Sequence, residues 1–112
     1  MTRIHLDRLL TLENPTRVPD GAGGFSITWT ALGTLWAEVT PGNGNDAAGE
    51  EVVLSSVPSR ITVRAAPVGA VSRPLPDQRF RDGSRIFKIL AVTERGRLAK
   101  HLICSAREEV LK

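Results

Sequence analysis

Few residues in this chain could act chemically, and their spacing decides most of what they can do. His101 and Cys104 are the nearest approach to a base and a nucleophile. The segment around them reads as a strand, where an offset of three sets two side chains on opposite faces. The pair therefore reads as a buried small thiol and a half-exposed imidazole. Cys104 is the only cysteine, which excludes an internal disulfide and any multi-cysteine zinc site. His5 has no metal-ligating partner nearby in sequence. Glu50 and Glu51 are adjacent carboxylates in a glycine-bearing stretch, whereas glycoside hydrolysis needs two acids held on rigid elements. They read as a solvated loop face. Gly21-Ala22-Gly23-Gly24 neither follows a strand nor opens a helix, so it reads as a hairpin turn rather than a phosphate loop. No catalytic, cofactor or metal set emerges, and no enzymatic activity is expected.

Charge offers a second route to function. The net charge of +3 conceals an asymmetry. Residues 1–56 carry three basic groups against seven acids, a net of −4, and residues 57–112 carry twelve against five, a net of +7. Such a chain can bind nucleic acid through its basic half or present complementary faces to copies of itself. Arg60, Arg64, Arg73, Arg79, Arg81, Arg85, Lys88, Arg95, Arg97 and Lys100 are dispersed, and no aromatic residue is interleaved with them for base stacking. A small basic barrel that meets nucleic-acid phosphates without sequence preference is the alternative reading. No apolar run approaches the ~20 residues that cross a bilayer, so no membrane partner is expected. The charged N-terminus is unlike a signal peptide, and the protein reads as one made and used in a cytoplasm.

The elements that must position these residues are strands. Phe25, Ile27 and Trp29 alternate with Ser26, Thr28 and Thr30, the period of a half-buried strand. Gly33 breaks the run, after which Leu35, Ala37 and Val39 alternate with Trp36 and Glu38. The stretch reads as two strands, or one strongly bent strand, with Gly33 at the corner. It holds both tryptophans, and aromatic side chains bury large areas, so Phe25, Ile27, Trp29 and Trp36 are expected in the core. Residues 3–13 read as a first strand, although Leu6, Leu9 and Leu10 also fit a helical period. Asn14-Pro15 and Pro19 to Gly24 read as turns. Arg60 to Ala66 is a strand with Ile61, Val63 and Ala65 on one face and Arg60, Thr62 and Arg64 on the other. Residues 67–77 form a loop. Gln78–Arg81 and Arg85–Thr93 read as a hairpin about Asp82-Gly83, with Phe87 and Ile89 in the core. Glu94 to Arg97 turns into a last strand, Leu98–Ala106.

Between these lies Pro41 to about Val57, glycine-rich, acidic and without a large apolar residue until Val52. Loops of this length are usually functional or disordered. The whole reads as one domain over residues 1–112. It is all-β, a small barrel or sandwich of about six strands with two long loops.

The order of these features resembles the head–tail joining (head-completion or stopper) proteins of long-tailed bacteriophages and phage-like gene transfer agents. The likeness is carried by an N-terminal Leu-Asp-Arg-Leu-Leu-Thr-Leu, by Gly23-Gly24-Phe25 leading to Thr28-Trp29, and by Leu35-Trp36-Ala37-Glu38-Val39. Gly49-Glu50, Ile61-Thr62-Val63-Arg64, Phe80-Arg81-Asp82-Gly83 with Ile86-Phe87-Lys88-Ile89, and Leu102-Ile103-Cys104 follow in order. After Arg64, where the family often has an aromatic residue, this chain has Ala65-Ala66-Pro67.

The resemblance implies a ring of identical subunits at the head–tail interface of a virion or phage-like particle assembled in a bacterial cytoplasm. Portal and adaptor proteins would lie above it and a tail terminator below, with packaged double-stranded DNA in the channel. A hexamer is the preferred ring, a dodecamer the alternative. It also implies that the loop at about 41–57 lines the channel, which assigns Asn43, Asn45, Asp46, Glu50 and Glu51 to the lumen. Acidic groups there would repel phosphate. A head-to-tail ring joins two different patches on each subunit, and Arg60, Arg64, Arg95 and Arg97 are expected to meet acidic groups of a neighbour.

Overall fold

The computed structural model describes residues 3–42 and 56–109. The described residues form six strands in chain order: β1 (Arg8–Pro19), β2 (Phe25–Pro41), β3 (Ser56–Arg64), β4 (Arg79–Asp82), β5 (Arg85–Arg95) and β6 (His101–Glu109). They pair in the order β1-β2-β3-β6-β5-β4, and β4 returns to β1 to close a barrel in which all neighbours are antiparallel. Closure leaves the body without a free sheet edge.

Alternation fills the interior. Leu10, Leu12, Ile61, Val63, Phe80, Phe87, Ile89, Leu102 and Cys104 point inward and are buried. Phe80 and Phe87 are cross-strand partners and the two largest of these side chains, so the core is centred on them. The two mouths of the barrel carry different contacts. β3 and β4 sit on opposite sides of the barrel, so the segment 65–78 that joins them crosses one mouth. Pro74 is buried there, and Gln78 is tied down twice. Its Oε1 accepts the Leu75 N–H at 2.9 Å, and its Nε2 donates to Asn14 Oδ1 at 3.0 Å. At the other mouth, Arg8 pairs with Asp82 and Arg85 with Glu108.

The expected core needs correcting. Phe87 and Ile89 are fully buried, but Phe25 is 59% exposed, Ile27 57% and Trp36 56%, and Trp29 is only half-buried. The cause is a single residue. Leu12 faces Gly33, yet Glu13 faces Ala31, so Leu32 is an extra residue in β2. A bulge of this kind reverses the faces on one side of it. Leu35 and Ala37 keep their side chains toward the core, while Phe25, Ile27 and Trp29 are turned outward. Leu32 packs against the core instead. Gly33, at φ +143°, supplies a backbone conformation that other residues rarely adopt. Trp36 lies between inward Leu35 and Ala37 and so points out.

The expected turn at Asn14-Pro15 is also corrected, because β1 continues through it to Pro19. Beyond Glu13 the strand pairs, among the described residues, only with β2, and a proline is tolerated on such an edge.

Candidate functional site

The bulge divides the β1–β2 ribbon into two parts. Below it the ribbon belongs to the barrel. Above it, among the described residues, Asn14–Pro19 and Phe25–Thr30 pair only with each other and project as an arm. Six residues of strand span about 20 Å. The Asp20–Gly24 turn closes the tip. Asp20 Oδ1 accepts the N–H groups of Ala22 (2.8 Å) and Gly24 (3.0 Å), and these two bonds hold its carboxyl below the usual aspartate range. The Gly21–Gly24 segment is thus a hairpin turn.

The two faces of the arm differ. One carries Thr16, Thr28, Thr30, Ser26 and Val18. The other carries three cross-strand pairs: Pro15 with Trp29, Arg17 with Ile27, and Pro19 with Phe25. The Arg17 guanidinium lies 4.7 Å from the Phe25 ring centroid, a cation–π contact. At the root, Glu13 is buried and accepts from Arg79 Nε at 2.6 Å and from Arg81 Nη1 at 3.4 Å. Arg79 in turn lies 4.0 Å from the Trp29 centroid. This carboxylate–guanidinium–indole stack, with the Gln78–Asn14 bond, anchors the arm to the barrel wall.

His101 is half-exposed on the outside of β6 and Cys104 is fully buried, on opposite faces as the offset of three requires. Burial pushes the Cys104 thiol up to about 12. His5 is exposed, and its backbone N–H donates to Glu38 Oε2 at 2.9 Å. Among the described residues, no three His, Cys, Asp or Glu side chains gather where they could hold a metal ion. Arg64 and Arg95 both pair with His101 across β3, β6 and β5, so the three share one outer row, and Arg97 lies in the adjoining turn. Arg60 lies four residues down β3, opposite Ser105. All four arginines are on the surface or half-exposed.

Asn43, Asn45, Asp46, Glu50 and Glu51 lie outside the described residues. The flanking residues are defined. Gly42 donates its N–H to Pro58 O at 3.0 Å, and a Cβ on Gly42 would meet the Pro58 and Ser59 backbone at 2.9 Å. Because alternate connections in an antiparallel barrel emerge at opposite ends, Gly42 and Ser56 lie at the pole opposite the arm.

The arm face formed by Arg17, Ile27 and Phe25 is the surface that sequence reasoning missed. One signal was available: Pro15 and Pro19 mark β1 as an edge strand there, and an edge ribbon cannot bury both of its faces. An aromatic-faced ribbon carried on a closed barrel is an exposed apolar surface of the kind that marks contact sites with other macromolecules. Residues 1–109 match the phage head completion protein model, and the chain belongs to that family. It is 58% identical, over 100% of both chains, to a chain in the virion of a native gene transfer agent particle, with a TM-score of 0.78. A protein from Shigella flexneri 2a shares the fold at a TM-score of 0.64 and 21% identity, covering 98% of this chain and 96% of that one. No curated protein matches.

Proposed function

We propose that this protein is a ring-forming stopper subunit between the portal–adaptor side of a filled phage-like head and its tail. There it retains packaged double-stranded DNA and offers the tail a docking surface. The observation that carries this reading is the full-length 58% identity to a chain of a gene transfer agent virion. Family membership over residues 1–109 supports it. We assign the acidic stretch, with Asn43, Asn45, Asp46, Glu50 and Glu51, to the channel on its composition and the family resemblance. Acids in a lumen keep phosphate from adhering.

Nuclease protection of DNA in purified particles tests the role. Particles that lack this chain are expected to lose their DNA, and full protection would refute DNA retention. Particles carrying a deletion of residues 43–50 are expected to leak as well. Normal retention by that variant would withdraw the channel assignment and leave the ring in place.

A further inference from the structure

The arm poses a physical problem that the isolated chain leaves unsolved. A two-stranded ribbon is marginally stable in water unless a third element covers it. Here Phe25 and Ile27 stand more than half exposed on one face, at the end farthest from the anchoring stack at Trp29. The same ribbon presents a second apolar patch below the bulge. Leu9 and Trp36 are cross-strand partners on the outer face, 47% and 56% exposed, and Leu6 lines a groove with Trp36 and Arg64. The arm cannot fold back onto this patch, because both belong to one continuous pair of strands.

We infer that the arm of one copy docks on the Leu6–Leu9–Trp36 patch of a second copy, as the clasp between successive subunits. The inference rests on the ring reading above and names its contact. Charge complementarity selects the occupant. The arm carries Arg17 beside Ile27 and Asp20 at its tip. The patch carries Glu38, on the same face of β2 as Trp36, and Arg64, which lines the groove with Trp36. Each arm charge thus finds an opposite charge, Arg17 toward Glu38 and Asp20 toward Arg64. Along the arm, three residues separate the two charges by about 10 Å. On the patch, Glu38 and Arg64 are diagonal neighbours about 7–8 Å apart, a difference that an arginine side chain spans. The donor and receiver surfaces differ, so the contact is head-to-tail, the kind that builds a ring where its rotation closes.

Paired cysteines test this. The native Cys104 is buried, which leaves the background quiet. In assembled particles, Ile27→Cys combined with Leu9→Cys should give an oxidised ladder of this chain up to the full ring, and either single variant should give none. Dimers from Ile27→Cys alone would indicate a two-fold contact, and adducts to a different protein would indicate another occupant; either result overturns the inference. Phe25→Ser with Ile27→Ser alters exposed positions only, so the chain should fold yet enter particles at least tenfold less often. Normal incorporation overturns the clasp. Particle reconstructions separate the two levels. A ring without the ladder sinks the clasp and spares the ring, whereas a junction without contacts between copies sinks both.

Discussion

The barrel and the arm are cut from one ribbon and obey opposite rules. Below Leu32, the β2 residues Leu35, Ala37 and Val39 lie in the core or pack against it. Above Leu32, side chains of the same alternating pattern stand in solvent. Both segments carry large apolar residues, so hydrophobicity alone does not distinguish them. Among the described residues, the difference lies in what each face meets: four further strands in the body, and one partner strand in the arm. A hydrophobic pattern thus states that a face will be covered, and the topology states whether the cover belongs to the same chain.

The largest test of this contrast sets one phenylalanine against another. Phe87→Ala removes a fully buried ring from the body and should cost about 3–5 kcal/mol, read as a shift in the urea midpoint. Phe25→Ala should cost less than about 1 kcal/mol, since the ring is largely exposed and gives up mainly its contact with Arg17. Comparable losses would show that the arm is part of the folding core.

A smaller effect is expected at the boundary between the two regions. Glu13→Ala leaves the Arg79 guanidinium without its buried carboxylate and should destabilise by about 3 kcal/mol. It should also change the fluorescence of Trp29, because Arg79 is freed to move from the indole, while Trp36 is unaffected. Loss of stability with an unchanged Trp29 signal would mean that the stack does not anchor the arm.

The smallest effect belongs to the ion pairs at the far mouth. The hydrogen bond from Arg85 holds the Glu108 carboxyl below the usual glutamate range. A carboxyl lowered by folding adds stability that is fully present above its unfolded pKa and is lost as pH falls through the folded value. Glu108→Gln should therefore remove a small part of the stability at neutral pH, about 0.2–1 kcal/mol for a partly exposed pair. The gap between variant and parent should close in acid, below the ordinary glutamate range. A gap that persists there would assign the effect to packing rather than to charge.

Much of this was legible in the chain. The alternation in Arg60–Arg64, the Asp82-Gly83 turn and the opposed faces of His101 and Cys104 follow from local geometry, because a strand has a fixed period of two. The family resemblance likewise rests on residues in order. What could not be read was the face of the tryptophan stretch. Counted straight through, Phe25, Ile27 and Trp29 share the parity of Leu35, Ala37 and Val39, and the whole run appears to line one core. Pairing with β1 decided otherwise, because Leu32 has no partner and a bulge of one residue inverts every side chain beyond it. The buried Glu13 was equally invisible, since its partners lie more than sixty residues away on β4. Sequence alone determined that this chain is built of strands with a two-residue rhythm. Only the closing of those strands on one another decided which rhythm faces inward, because register is a relation between strands and no single strand contains it.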